Sequence, residues 1–218
     1  MKKNLTEMVF ILDKSGSMAG MEQDTVGGFN AMIEKQKREE GDALVSTVLF
    51  SNASTVIHDR AELRKIEPLT EKQYFVGGCT ALYDAVGDAI RHIGNVHKYA
   101  REEDRPEKTV FVITTDGMEN ASRRYSAGEV KRLITRQKEK YGWEFLFLGA
   151  NIDAQSVADD IGISEERSAC FVNDARGNAL KYEGISYAMS AVRAKKSLRR
   201  EWKETMEEDC RARDKGIV

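Results

Sequence analysis

Short apolar runs alternate along the chain with longer segments in which apolar residues recur every three or four positions. The short runs favour buried strands, and the three-to-four spacing is typical of helices with one buried face. The predicted strands are residues 8–12, 43–50, 54–58, 109–114, 143–148 and 168–172. The predicted helices are about 22–39, about 81–100, one opening at the capping-box pattern 126–129, a short one near 154–160, and one from about 178.

This alternation predicts an α/β fold with a mostly parallel six-stranded sheet and helices on both faces. Right-handed crossovers make such a sheet doubly wound. The strands at 43–50 and 54–58 are separated by a hairpin distance, so one edge strand should be antiparallel. The chain has no repeat or low-complexity linker, and we divide it into a domain at 1–195 and a charged helical extension at 196–218.

Composition narrows the function classes. Of 218 residues, 41% are hydrophobic and 32% are charged, with a net charge of −2, which favours a soluble protein without affinity for nucleic acid or membranes. The apolar run near the N-terminus is short for a signal peptide, and no stretch has the length of a membrane helix. Three scattered cysteines predict no disulfide framework or zinc site, so a cytoplasmic location is expected. Cys79 is interpreted as a small buried side chain.

Oxygen-bearing side chains follow two of the predicted strands and precede the second long helix. Asp13, Ser15 and Ser17 occupy alternate positions after the first strand, Thr80 follows a Gly-Gly pair, and Asp116 follows the strand at 109–114. In doubly wound sheets, ligands bind beyond the carboxyl ends of the strands. Carboxylates and hydroxyls are hard ligands, so this set predicts a site for Mg²⁺, with Mn²⁺ or Ca²⁺ as alternatives.

Two ionised aspartates would balance the charge of one divalent ion, and three hydroxyls would add neutral ligands. Water would complete the six coordination positions. Ligand counting therefore leaves a position at which an acidic group of a partner could bind. Each loop alone has an ordinary structural explanation, as a helix cap or a tight turn. Their joint occurrence favours the metal site.

The motifs resemble those of the von Willebrand factor A (vWA) domain, in its intracellular bacterial form, and of its metal-ion-dependent adhesion site (MIDAS). They are Asp13-Lys-Ser15-Gly-Ser17-Met18, Gly78-Cys-Thr80-Ala-Leu82 and Ile113-Thr-Thr-Asp116-Gly. The resemblance implies a Rossmann-like sheet and a protein-interaction module whose partner supplies an acidic side chain to the metal. It also implies that Ser15 and Ser17 coordinate directly, Thr80 and Asp116 directly or through water, and Asp13 through water and hydrogen bonds.

Three other functions compete with this interpretation. A Mg²⁺-dependent phosphatase of the haloacid-dehalogenase type needs a second Asp two positions after the first, where this chain has Ser15. A serine hydrolase needs a Gly-x-Ser-x-Gly elbow, which Ser17 does not occupy. A scaffold that does not depend on metal is the third alternative. It differs in keeping its partner when the metal is removed.

The C-terminal segment carries a narrow apolar stripe on a charged helix. Leu198, Trp202, Met206 and Cys210 recur at intervals of four residues. The stripe could dock back on the domain, which we favour, or recruit a partner or a second copy of the chain. The sequence predicts neither the identity of a partner nor the oligomeric state.

Overall fold

The computed structural model, which describes residues 1–150 and 153–214, contains a six-stranded sheet with helices packed on both faces. The strands are β1 (Lys2–Asp13), β2 (Asp42–Phe50), β3 (Ser54–Glu62), β4 (Pro106–Thr115), β5 (Glu144–Gly149) and β6 (Ser168–Cys170). The helices are α1 (Glu22–Lys37), α2 (Leu82–Tyr99), α3 (Ala127–Tyr141), α4 (Ala154–Asp160), α5 (Ala175–Arg193) and α6 (Glu204–Asp214).

The strand order is β3-β2-β1-β4-β5-β6, and β3 pairs antiparallel with β2 while the other pairs are parallel. This confirms the predicted doubly wound α/β fold with one antiparallel edge strand. The order reverses at β1, which lies between β2 and β4. The crevice above the carboxyl ends of β1 and β4 is therefore the place where a ligand is expected in such a sheet.

The two faces of β1 explain why its sequence is continuously apolar. Met8 and Phe10 belong to the core beneath α1 and α5, whereas Val9 and Ile11 belong to the core beneath α2, α3 and α4. All four side chains are fully buried. A central parallel strand has no solvent face, so alternation of polar and apolar residues is absent from it. This burial holds the end of β1, and the loop that follows it, in one position.

The C-terminal segment differs from the predicted continuous helix. Helix α5 ends at Arg193, and Lys195 adopts a positive φ of 57°, which a continuing helix does not permit. The chain then resumes as a 3₁₀ turn at Arg200–Trp202 and as α6. The domain boundary placed at residue 195 stays a prediction, and residues 215–218 of the proposed extension lie outside the described residues.

The apolar stripe of this segment packs on the domain. Leu198, Trp202, Met206 and Cys210 are all buried, at 7% exposure or less. Gly184 on α5 permits the close approach, because a Cβ there would lie 2.5 Å from Met206 Cε and from the Trp202 carbonyl oxygen. The stripe is therefore covered by the domain rather than exposed for a partner.

The cysteines depart from the expectation drawn from their spacing. Cys170 at the end of β6 and Cys210 in α6 form a disulfide, with their Cα atoms 6.6 Å apart. The sequence predicts no disulfide framework and did not anticipate this single bond, because packing of α6 brings together residues 40 positions apart. Cys79 is exposed and free, so its interpretation as a buried side chain was wrong. Among the described residues, the helices are too short or too polar to cross a bilayer.

Candidate metal centre

The candidate site lies where three loops meet above β1 and β4. Asp13 is the last residue of β1, and Asp116 directly follows the end of β4. Since these strands are parallel neighbours, with Leu12 paired to Thr114, their carboxyl ends place both carboxylates at the same edge of the sheet. The third loop precedes α2 and carries Thr80.

The carboxylate of Asp13 is held by its own loop and by the end of β4. The backbone amide of Ser15 donates to Asp13 Oδ1 at 2.7 Å, which closes a tight turn directly after the strand. The hydroxyl of Thr115 donates to Asp13 Oδ2 at 2.5 Å. The buried hydroxyl of Tyr74 donates to the Asp13 carbonyl oxygen. Asp13 is thus oriented on both sides of its carboxylate and at its backbone.

Hydroxyl groups join Asp13's loop to Asp116. Ser17 Oγ donates to Asp116 Oδ1 at 2.5 Å and lies 3.2 Å from Ser15 Oγ. A Cβ added at Gly117 would lie 3.1 Å from Thr80 Oγ1 and 3.3 Å from Ser17 Oγ, so both hydroxyls face the space next to this glycine. The structure therefore brings all five predicted residues to one site.

Glycine permits the contact between the loop after β1 and the loop that precedes α2. The amide of Gly16 donates to the carbonyl oxygen of Gly78 at 3.0 Å. Gly78 has a φ of +84°, and a Cβ there would overlap Asn52 Oδ1. Asn52 Oδ1 in turn accepts from the Cys79 amide at 2.8 Å. These contacts set the position of Thr80 relative to Ser15.

Both aspartates are buried, and among the residues that the structure describes no cationic side chain donates a hydrogen bond to either carboxylate. Asp13 is 2% exposed and Asp116 is 3% exposed. Burial raises the pKa of both carboxyl groups, and the charge of Asp13 further raises the pKa of Asp116. Their side-chain oxygens accept from a backbone amide, from hydroxyls and from the amide of Asn173, all of which are neutral. Two neighbouring buried carboxylates are costly unless a cation compensates them.

The donor set fits a hard divalent ion. It combines two carboxylates with three hydroxyls, and such oxygen ligands suit Mg²⁺, Mn²⁺ or Ca²⁺. In the described part of the chain, no three His, Cys, Asp or Glu side chains are grouped to hold a metal. A site here therefore depends on Ser15, Ser17 and Thr80 as ligands. Ser17 is exposed, so the site opens to solvent on its side.

Sequence reasoning missed several residues that support the site. Thr115 lies within the Thr-Thr-Asp-Gly motif and could have been noticed there. Asn173, whose Nδ2 donates to Asp116 Oδ2 at 2.8 Å, comes from the loop after β6. Lys181 is buried on α5, where helical periodicity predicts an apolar side chain. Neither Asn173 nor Lys181 lies near a recognisable motif, so no local signal identified them.

No protein-family model matches the sequence, and no curated protein is significantly similar to it. Solved structures are similar in fold. Proximal thread matrix protein 1 from the mussel byssus, with a zinc-occupied MIDAS motif, has a TM-score of 0.58 and 16% identity over 85% of this chain and 46% of that one. The von Willebrand factor type A protein from Catenulispora acidiphila has a TM-score of 0.56 and 14% identity over 85% of this chain and 42% of that one.

The manganese-loaded TRAP protein of Plasmodium vivax has a TM-score of 0.56 and 14% identity, and the match covers 83% of this chain and 73% of that one. This chain spans less than half the length of the first two structures. At such low identities the likeness shows the fold, and two of the three similar structures hold a divalent metal. Together with the strand order, it identifies the chain as having the fold of a von Willebrand factor A domain.

Proposed function

We propose that this chain is a protein-interaction module that binds Mg²⁺ through Asp13, Ser15, Ser17, Thr80 and Asp116. The observation that carries the proposal is the meeting of two buried carboxylates and three hydroxyls at the switch point of the sheet. Mn²⁺ and Ca²⁺ are alternatives, because ligand type does not separate them.

The hydrogen bonds support different roles for the two aspartates. Both oxygens of Asp13 are engaged by Ser15 and Thr115, so Asp13 acts by orienting the loop and any metal-bound water. Ser17 Oγ and Asp116 Oδ1 lie next to each other, so both side chains would hold the cation, whose charge would compensate the Asp116 carboxylate. Ser15 and Ser17 would then coordinate directly, as the resemblance implies. The metal would supply a positive centre to which a partner's carboxylate can bind.

Exposed apolar side chains near the site favour a protein partner over a free ion. Met118, two residues after Asp116, is 70% exposed, and Phe75 is 76% exposed. The Phe75 loop contacts the first ligand loop, since the Gly77 amide donates to the Lys14 carbonyl oxygen at 2.8 Å. A partner that offers an acidic side chain beside an apolar one would match this surface.

The competing functions receive less support. A phosphatase of the haloacid-dehalogenase type needs its acid–base carboxylate two positions after Asp13, where this chain has Ser15, so we propose a binding module rather than an enzyme. A scaffold that does not depend on metal gives no function to the meeting of three hydroxyls with two buried carboxylates. Binding to nucleic acid or membrane is not proposed, and self-association through α6 is disfavoured by burial of its apolar stripe. A bacterial, cytoplasmic origin stays a prediction, and the Cys170–Cys210 disulfide weighs against a reducing compartment.

Isothermal titration with Mg²⁺ and Mn²⁺ tests the metal site. We expect the wild-type protein to bind one ion and Asp116→Asn to lose at least about tenfold in affinity, as expected when a charged ligand is lost. Asp59→Asn is the matched control, because Asp59 is an exposed carboxylate paired with His92 on another part of the surface. Equal affinity in Asp116→Asn and Asp59→Asn would contradict the site.

Water-proton relaxation of the Mn²⁺-loaded protein tests the open coordination position. An acidic peptide with a neighbouring apolar residue should lower the relaxation enhancement by displacing metal-bound water. The same peptide with Gln in place of Glu is the control and should have no effect. We expect the substitutions Phe75→Ala and Met118→Ala to lower the affinity for the acidic peptide without changing the affinity for Mn²⁺. If no acidic peptide changes the relaxation enhancement, the metal site does not bind a partner's carboxylate as proposed.

A further inference from the structure

A lysine lies fully buried beside the candidate metal centre. Lys181 on α5 is 1% exposed, and its ammonium lies 4.6 Å from the centre of the Phe171 ring and 4.7 Å from that of Tyr182. Its Nζ donates a hydrogen bond at 2.5 Å to Asn178 Oδ1, and this acceptor carries no charge. Lysines are almost never fully buried without a compensating charge. The position of this one therefore needs an electrostatic explanation.

Two asparagines connect Lys181 to a proposed metal ligand. Asn178 Nδ2 donates to Asn173 Oδ1 at 3.3 Å, and Asn173 Nδ2 donates to Asp116 Oδ2 at 2.8 Å. Each amide thus accepts from the lysine side and donates towards the carboxylate side. This orientation aligns the amide dipoles between a cation and an anion, which strengthens both ends of the network.

The charges of the site act on Lys181 directly. Burial lowers the pKa of Lys181 to about 7, while the negative charges of Asp116, Asp13 and Asp24 act in the opposite direction. The aromatic faces of Phe171 and Tyr182 add a further attraction for the ammonium. The carboxylates of the metal centre are therefore the principal anions that stabilise the buried ammonium.

We propose that Lys181 is a built-in counter-cation of the metal centre, which stabilises Asp13 and Asp116 without metal and weakens divalent-metal binding. The inference rests on the proposed metal site. A divalent ion and the ammonium compete for the same two negative charges, and their mutual repulsion acts through a buried, weakly screened interior. Lys181 is a positioning and tuning residue rather than a ligand.

The direction of the effect separates this role from a structural one. In Lys181→Met, which keeps the length of the side chain without its charge, we expect Mg²⁺ and Mn²⁺ to bind about tenfold more tightly. The titration is made at about pH 6, below the pKa of Lys181, so that the wild-type ammonium is charged. A residue with a merely structural role would weaken metal binding when replaced.

A second buried lysine provides the matched control. Lys203 is 1% exposed, but it binds the carbonyl oxygens of Glu165 and Ser168 and pairs with Glu207, far along the chain from the metal motifs. Lys203→Met should destabilise the protein and leave metal affinity unchanged. Equal or weaker metal binding in Lys181→Met than in the wild type would overturn the proposal.

A measurement on the unsubstituted protein covers the case in which Lys181→Met does not fold. With ¹³Cε-labelled lysine, NMR titration should show that saturating Mg²⁺ lowers the pKa of Lys181, as reciprocal linkage requires. A pKa that does not change on Mg²⁺ binding would refute the counter-cation role. If the wild-type protein binds no Mg²⁺ or Mn²⁺ at all, the proposed function itself fails, which is a distinguishable result.

Discussion

The hydroxyl of Ser17 donates to the carboxylate of Asp116 at 2.5 Å, although the two residues are 99 positions apart in the chain. This hydrogen bond links the loop after β1 to the loop after β4. The two residues differ in burial, because Ser17 is exposed whereas Asp116 is only 3% exposed. Their substitutions should therefore affect stability in different ways.

We expect Asp116→Asn to stabilise the metal-free protein at neutral pH. Burial raises the pKa of Asp116 in the folded chain, so the folded state binds more protons than the unfolded state as this group titrates. The stability of the metal-free wild type therefore falls as pH rises from the pKa of Asp116 in the unfolded chain to its higher pKa in the folded chain. Asparagine removes the charge, and its amide can still pair with Ser17 Oγ and Asn173.

Thermal unfolding in EDTA measures this effect. A gain of about 1 kcal/mol would raise the midpoint by roughly 2–4 °C for a chain of this size. The gain should shrink as pH falls below about 4, where Asp116 is protonated in both states. A lower midpoint for Asp116→Asn at neutral pH would show that the carboxylate stabilises the fold without metal.

Ser17→Ala should weaken metal binding with little change in stability. The side chain is exposed, and its removal leaves Asp116 Oδ1 accessible to water, so the free energy of unfolding should change by less than about 0.5 kcal/mol. Titration calorimetry with Mn²⁺ and thermal unfolding measure the two effects.

Ser126→Ala is the control, for which we expect lower stability and unchanged metal affinity. Ser126 caps α3 by accepting from the Glu129 amide within a capping box, so its loss should cost about 0.5–2 kcal/mol. Its metal affinity should equal that of the wild type. If Ser17→Ala and Ser126→Ala bind Mn²⁺ equally, Ser17 is not a ligand.

Gly78→Ala should disturb the site through the backbone. Alanine disfavours the φ of +84°, and its Cβ would displace Asn52, whose Oδ1 binds the Cys79 amide. We expect a loss of about 1–2 kcal/mol in stability and weaker metal binding, because Thr80 follows on the same loop. Gly128→Ala, at an exposed helical position with free space for a Cβ, should leave metal affinity unchanged. Wild-type behaviour of Gly78→Ala would show that the loop tolerates the shift.

The disulfide should stabilise the docked C-terminal segment. Cys210→Ser, which opens the link to Cys170, should cost about 2–4 kcal/mol under oxidising conditions. Cys79→Ser is the control and should be neutral, since Cys79 is exposed and free. Thiol titration of the folded, non-reduced protein should detect Cys79 alone. Detection of three thiols before reduction would contradict the pairing.

Local patterns in the sequence determine much of the fold. The continuous apolar run ending at Asp13 predicts a central parallel strand, because such a strand is buried on both faces. The capping box at Ser126 predicts the start of α3, since it acts within four residues. The position of the five candidate ligands could be predicted from the sequence as well, because the order of strands and loops along the chain places them at the carboxyl edge of the sheet.

Only the tertiary structure decides how distant segments meet. The Cys170–Cys210 bond, the docking of Trp202 and the contact between Asn173 and Asp116 depend on the path of the chain after β5. The burial of Lys181 beside two carboxylates is of the same kind. A local pattern reports the periodicity of one element, whereas these contacts depend on distances between elements, which no local periodicity encodes.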